Sequence, residues 1–266
     1  LLDRAEDIFN KLLDSDRNEE SKRHLLEIYQ QEKNWQKAIA IAEELPDVAS
    51  QRDIAEYYCE MAAAEIMRTR RQTAREYLDV ALLKNRKCVR ASLLLGDLHL
   101  QEGQVEDAIA AWQRIEQQDP AYLGLVAQRL ADVYRRLDRL PEALVLFRGY
   151  LEHYPSLDML DVVSQIILET EGAEGVYRLV RDETQRNPTL LGLERLMAAR
   201  LALAPPEVRA DIELAKTIVH GYTARLSRYR CGDCGFKARQ HYWRCPACGG
   251  WETYSPKRSE EFELTP

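Results

Sequence analysis

Residues Val89–Tyr122 read VRASLLLGDLHLQEGQVEDAIAAWQRIEQQDPAY, and this stretch indicates how most of the chain is built. Its apolar residues recur at helical spacing on both sides of Gly103, and Pro120 stands near its end. Glycine suits a tight turn and proline cannot continue a helix. The stretch therefore predicts two helices joined by a turn.

The landmarks of this unit return 35 residues later, in the pairs Ala108 and Ala143, Trp112 and Phe147, and Pro120 and Pro155. The pattern resembles the tetratricopeptide repeat, in which a small residue lies where two helices cross, an aromatic residue follows one turn later, and a proline ends the second helix. Weaker copies begin near Glu19 and Ala55, and a degenerate copy ends at Pro188. The sequence predicts an all-α, superhelical tetratricopeptide-repeat solenoid over residues 1–226.

Both ends of this solenoid depart from the repeat pattern. Ala5, Phe9 and Leu12 match only the second half of a repeat, so we expect at least one further helix before Leu1. Apolar helices on either side of residues 205–206 are expected to cap the solenoid, because a terminal repeat must cover its neighbour's apolar face.

A second kind of module follows at Tyr229–Tyr254, where two CxxC pairs are separated by ten residues and each pair ends in a glycine. The cysteines are Cys231, Cys234, Cys245 and Cys248. Four thiolates at about 2.3 Å form the tetrahedral shell of a structural Zn²⁺, and the same shell holds iron in rubredoxin-like sites. With all four positions filled by protein, the metal is expected to hold structure rather than to catalyse a reaction. We expect a rubredoxin-like zinc ribbon over residues 227–256, packed on the last helices and holding one Zn or Fe ion, and a tail over residues 257–266.

A disulfide framework is the alternative interpretation of the paired cysteines. It is typical of short secreted chains, whereas this chain has 266 residues and only two other cysteines, Cys59 and Cys88. Neither has an obvious partner, which favours a reducing compartment. His241 is expected at the surface, and the aromatic residues around the CxxC pairs are expected to form a small core: Tyr229, Phe236, Tyr242, Trp243, Trp251 and Tyr254.

Charge is distributed unevenly along the chain. The net charge is −7, but residues 221–258 carry +6, which leaves −13 on the remainder. Four thiolates and one divalent metal would lower the charge of that end to about +4. A basic end on an acidic body suits docking to an acidic partner, to lipid headgroups or to the chain's own acidic face.

The first helix of each tetratricopeptide unit lines the concave face, where extended peptides or partner helices bind. The resemblance places a candidate partner groove at Cys59, Ala63, Ile66, Met67, Arg90, Leu93, Asp97, Leu100, Gln128, Asp132, Arg135 and Arg136. No nucleotide-binding loop, HExxH motif or nucleophile elbow occurs in the sequence, so we do not expect an enzyme.

The order of the two modules is more specific than either alone. Acidic tetratricopeptide repeats followed directly by CGDCG and CPACG resemble the bacterial lipopolysaccharide assembly protein B family. The resemblance implies a noncatalytic adapter that regulates lipopolysaccharide biosynthesis by promoting degradation of the lipid A pathway deacetylase LpxC by the membrane AAA protease FtsH. It also implies metal binding by the four cysteines, and an amino-terminal anchor that holds the repeats on the cytoplasmic side of the inner membrane. Other lipopolysaccharide synthesis or transport proteins are further expected partners.

Two other functions compete with this interpretation. Zinc ribbons commonly bind nucleic acid, and this one carries Arg239, Tyr242, Trp243 and Arg244. A redox or iron-sensing role would also use the four-cysteine site, although the interval between the CxxC pairs is much shorter than in true rubredoxins.

Overall fold

The computed structural model describes residues 2–12, 18–46, 49–223 and 229–256 of the chain. These residues belong to two compact units, Leu1–Gln118 and Asp119–Pro266. Within the described ranges, no helix combines the length and the apolar character that crossing a bilayer requires.

In the described part of the first unit the elements are α-helices, and neighbouring helices in the sequence pack on each other. They are α1 (Leu2–Leu12), α2 (Asn18–Gln31), α3 (Trp35–Glu43), α4 (Gln51–Met67), α5 (Arg71–Lys84), α6 (Val89–Gln101), α7 (Val105–Gln113) and α8 (Ile115–Gln118). Helix α4 also packs on α6, which is the arrangement expected when two-helix repeats stack. The predicted tetratricopeptide-repeat fold is confirmed.

The repeat formed by α6 and α7 shows why its landmark residues are small or aromatic. Trp112 is fully buried, and its indole N–H donates a hydrogen bond to the carbonyl of Leu93 at 3.2 Å. A side chain at Gly96 would overlap the indole ring. Ala108, one turn before Trp112, is also fully buried. The glycine and the alanine thus allow the two helices to approach around one large side chain.

The turn inside the repeat recurs with one backbone form. Lys33, Thr69, Gly103 and Asp138 lie in these turns and have φ values between 56° and 78°. In each turn the following N–H donates to the carbonyl five residues earlier at 2.8–2.9 Å, which is the Schellman arrangement at a helix end. Only one of the four positions is a glycine, although left-handed backbone favours that residue.

The second unit contains the remaining helices and the ribbon strands. They are a 3₁₀ helix (Pro120–Tyr122), α9 (Leu123–Arg136), α10 (Leu140–His153), α11 (Leu157–Arg186), α12 (Leu190–Leu203), α13 (Pro206–Thr223), β1 (Tyr229–Arg230) and β2 (Lys237–Ala238). Gly172, with φ 75° and ψ −171°, divides α11 into two helical parts. Helix α11 packs on α9, α10 and α12, and α12 packs on α13.

The predicted domain boundaries fall partly outside the described residues. Helix α13 ends at Thr223 and β1 begins at Tyr229. The expected solenoid end at residue 226, the ribbon start at residue 227 and the tail over 257–266 all lie outside the described ranges. Four of the basic residues assigned to the positive end also lie there, namely Arg225, Arg228, Lys257 and Arg258.

Candidate metal centre

Two loops of the same form bring the four cysteines together. Residues 230–235 read RCGDCG and residues 244–249 read RCPACG. The N–H of Cys231 donates to the carbonyl of Phe236 at 2.9 Å, and that of Cys245 to Gly250 at 2.8 Å. The glycines that end the loops, at positions 235 and 249, have φ of 74° and 77°, as a tight turn after each CxxC requires.

Short antiparallel pairings hold the two loops in place. Strand β1 pairs with β2, and isolated bridges join Cys231 to Tyr254 and Arg244 to Trp251. Arg244 also donates from Nε to the carbonyl of Gly249 at 3.2 Å, and its guanidinium lies 5.5 Å from the Trp251 ring centroid. Arg244, the arginine before the second CxxC, therefore supports its loop, a role that sequence reasoning missed although the repetition of RCxxCG was its signal.

The sulfur atoms have the spacing of a tetrahedral shell. All four Sγ atoms lie within 4.8 Å of one another. The Sγ atoms of Cys231 and Cys248 are 3.7 Å apart, as are those of Cys234 and Cys245. Metal–sulfur bonds of 2.3 Å in a regular tetrahedron place the sulfurs about 3.8 Å apart. A disulfide needs about 2.05 Å, so these cysteines are free thiols with the geometry of metal ligands.

Backbone N–H groups favour the thiolate form at Cys231 and Cys245, whereas at Cys234 and Cys248 the N–H groups are outweighed by burial and the neighbouring cysteine side chains, which raise the pKa above its usual value. Burial raises the pKa of Cys231, but hydrogen bonds from the N–H groups of Cys234 and Asp233 and from the Thr253 hydroxyl lower it to about 6 overall. The Thr253 oxygen lies 3.2 Å from the Cys231 Sγ. Burial also raises the pKa of Cys245, yet the N–H groups of Cys248 and Ala247 lower it below its usual value. The donor set therefore fits a Zn²⁺ or Fe ion held by four sulfurs.

Aromatic residues connect the ribbon to the helices of the second unit. Tyr122, just before α9, stacks on Trp243 with ring centroids 5.5 Å apart and an interplanar angle of 7°. Its hydroxyl donates to the carbonyl of Tyr254 at 3.4 Å. His241 meets Tyr122, Trp243 and Tyr254 edge to face.

The structure bears on three expectations about this module and corrects one of them. His241 was expected at the surface; its ring packs in an aromatic cluster and its Nε2 is buried, while the residue as a whole is partly exposed. Phe236 was expected in the core, but 43% of it is exposed. The ribbon was expected on the last helices; the structure shows an aromatic contact at Tyr122, ahead of α9, and the packing on the last helices stays a prediction. Tyr229 and Tyr254 are buried as predicted.

The groove candidates differ widely in exposure and divide between the two units. Cys59, Arg90 and Leu93 are buried, so they do not offer an open surface. Met67, Gln128 and Arg136 are exposed, and the other six candidates are partly exposed: Ala63, Ile66, Asp97, Leu100, Asp132 and Arg135. Arg135 pairs with Asp132 at 2.9 Å and with Glu169 at 2.8 Å. The candidates therefore include both buried and exposed side chains, and the partner groove stays a prediction.

Comparisons with known proteins match both modules. Residues 229–256 match the rubredoxin metal binding domain family, and residues 62–122 match the tetratricopeptide repeat family. Among solved structures, the crystal structure of MamA is 24% identical in sequence, and the match covers 57% of this chain and 87% of the MamA chain, with a TM-score of 0.39. The structure of Pseudomonas aeruginosa pilF is 14% identical in sequence, and the match covers 83% of this chain and 94% of that chain, with a TM-score of 0.44.

The repeats and the four-cysteine site together define a tetratricopeptide-repeat protein with a rubredoxin-type metal-binding module. Lipopolysaccharide assembly protein B of Escherichia coli K12 is 29% identical over 97% of this chain and 68% of its own length. The protein of the same name from Haemophilus influenzae is 28% identical over 97% of this chain and 66% of its own length. The resemblance to the lipopolysaccharide assembly protein B family is thus confirmed over nearly the whole chain.

Proposed function

We propose that this chain is a noncatalytic adapter that regulates lipopolysaccharide biosynthesis. The supporting observation is the similarity to lipopolysaccharide assembly protein B over 97% of the chain, which includes both the repeats and the four-cysteine ribbon. In the finer form of this proposal, the adapter promotes degradation of the deacetylase LpxC by the membrane protease FtsH. It works at the cytoplasmic side of the inner membrane, held there by a membrane anchor.

Tethering supplies the physical mechanism. An adapter that holds a substrate beside a protease turns their encounter into an intramolecular event, and the effective concentration rises when both are confined to one membrane. The repeats offer first-helix residues for such binding, of which Met67 and Gln128 are exposed and Leu100 is partly exposed. No chemical step is required of the adapter itself.

One metal ion contributes by holding the ribbon in its binding form. Cys231, Cys234, Cys245 and Cys248 would hold this ion through their sulfurs, which the spacing of 3.7 Å across two pairs supports. When bound, Zn²⁺ or Fe supplies folding free energy to a module whose own strands are too short to fold alone.

Capture from membranes tests the proposal. The anchored full-length protein is cross-linked and purified beside a Cys231→Ser, Cys234→Ser variant whose helicity is verified by circular dichroism. Ala247→Ser is the matched control, since Ala247 is exposed between two of the ligands. We expect the wild type and the control to capture FtsH and LpxC, and the double variant to lose them. Failure of the wild type to capture either protein would refute the finer form.

A second experiment tests tethering separately. Replacing the anchor by a soluble leader, with the repeats still folded, should slow LpxC degradation sharply in cells. Degradation at the wild-type rate would contradict the effective-concentration mechanism.

A further inference from the structure

A second group of metal-ligating side chains lies in the core of the first unit. Glu56, Cys59 and Cys88 are each 0% exposed, and their liganding atoms all lie within 4.8 Å of one another. Glu56 and Cys59 are three residues apart on one face of α4, and Cys88 is the residue before α6. The two cysteines expected to lack a partner therefore meet each other where α4 packs on α6.

The distances within this group are those of a coordination shell. The Sγ atoms of Cys59 and Cys88 are 3.7 Å apart, and the Cys88 Sγ is 3.5 Å from the Glu56 Oε1. Tetrahedral zinc bonds would place two sulfurs about 3.8 Å apart, and a sulfur and a carboxylate oxygen about 3.5 Å apart.

Arg90 lies behind the site and holds the Glu56 carboxylate in position. Its guanidinium donates to the Glu56 Oε2 at 3.1 Å, which leaves the Glu56 Oε1 beside the thiols. Arg90 also donates to Glu60 at 2.7 Å and is itself only 8% exposed. A bond of this kind orients a liganding carboxylate and is typical of metal sites.

We propose that Glu56, Cys59 and Cys88 form a second, buried site for a thiophilic divalent cation of the Zn²⁺ and Cd²⁺ class. Two thiolates favour such soft cations over Mg²⁺ or Ca²⁺. Binding replaces two thiol protons by one M²⁺, with two S–H bonds lost, two S–M bonds formed and two protons released to water. The net charge of the core is unchanged by this exchange, and the positive Arg90 balances the negative Glu56 in both forms.

Apolar residues pack around the thiols, including Ala55, Ala62 and Ala91. This site uses residues apart from the ribbon, and its test is independent of the adapter function.

Cadmium stoichiometry tests the proposal on the whole chain. Reduced protein is equilibrated with Cd²⁺ alone, freed of weakly held metal by a mild chelator, and analysed for Cd²⁺ per chain and for thiolate-to-cadmium ultraviolet absorption. We expect two Cd²⁺ per wild-type chain and one in a Cys59→Ala, Cys88→Ala variant. Ser92→Ala is the matched control, because Ser92 is equally buried on α6 and it should retain two.

Two further variants separate loss of the site from loss of the fold. Glu56→Gln, with helicity intact, should bind the second Cd²⁺ about tenfold or more weakly, since changes around liganding groups cost roughly 10–100-fold. The Cys231→Ser, Cys234→Ser variant should still bind one Cd²⁺ and melt at a higher temperature with it, because a ligand that binds only the folded state stabilises it. One Cd²⁺ per wild-type chain, or no loss in the folded Cys59→Ala, Cys88→Ala variant, would overturn the proposal.

Discussion

Gly96 is the residue on which the crossing of α6 and α7 depends. A Cβ at this position would come within 3.0 Å of the Trp112 indole, closer than real Cβ atoms approach other groups. We expect Gly96→Ala to lower the free energy of unfolding by about 2 kcal/mol, because an overpacked core must shift its side chains or backbone. Urea denaturation followed by circular dichroism measures this change.

Gly149→Ala is the matched control for this prediction. Gly149 lies within α10 and a Cβ there would meet nothing within 4 Å. The substitution should stabilise the protein by about 0.5–1 kcal/mol, because alanine loses less backbone freedom than glycine in a helix. Equal effects of the two substitutions would show that the Trp112 contact does not control the crossing.

Thr69 carries backbone strain at the end of α4. Its φ of 62° is a left-handed conformation that β-branched residues rarely adopt. Thr69→Gly should raise the free energy of unfolding by about 1 kcal/mol, since left-handed backbone costs a non-glycine residue about 1–2 kcal/mol. Gly103→Ala should lower it by a similar amount, because Gly103 has φ 78° with open space around it. Thermal denaturation of both variants gives the sign of each change in stability. A Thr69→Gly variant less stable than the wild type would contradict the claim that Thr69 is strained.

Among the elements, the ribbon depends most on its ligands. Its strands β1 and β2 have two residues each, and such a small hairpin does not fold on its own. We expect removal of the metal by a strong chelator to expose the N–H groups of Cys231 and Cys245 to hydrogen exchange, while the helical circular dichroism stays unchanged. Exchange protection that survives full removal of the metal would show that the aromatic core alone holds the ribbon.

The backbone of the repeat turns is only partly predictable from the local sequence. Gly103 indicates its turn directly because it is a glycine, and Asp138 occupies the same position in the following repeat. Lys33 and Thr69 adopt the same left-handed backbone without any local signal. The hydrogen bonds of the Schellman arrangement and the packing of the flanking helices impose this backbone against the preference of the residue.

For the molecule as a whole, Tyr122 makes the contact that joins the ribbon to the helices of the second unit. Tyr122→Ala should remove the stacking on Trp243 and the bond to the Tyr254 carbonyl, and lower the unfolding free energy by about 3 kcal/mol. Trp fluorescence and hydrogen exchange of the ribbon report the change. Tyr122→Phe keeps the stacking and should cost about 1 kcal/mol at most. A ribbon as well protected in Tyr122→Ala as in the wild type would place its main support elsewhere.

The sequence by itself determined the repeats and the four-cysteine motif of the ribbon. The spacing of alanine, aromatic residue and proline reflects one helix pair at a time, and the CxxC pairs lie within 18 residues, from Cys231 to Cys248. Such patterns can be recognised in the sequence because the residues that interact in them lie close together along the chain.

Tertiary structure alone decided which distant residues meet. Cys59 and Cys88 looked unrelated until the packing of α4 on α6 brought their sulfurs to 3.7 Å. Tyr122 and Tyr254 are 132 residues apart, yet they share a hydrogen bond, and the ring of His241 packs edge to face against both. Contacts between distant residues depend on how the helices fit together and bury their side chains throughout the unit, and the spacing of residues in the sequence does not predict them.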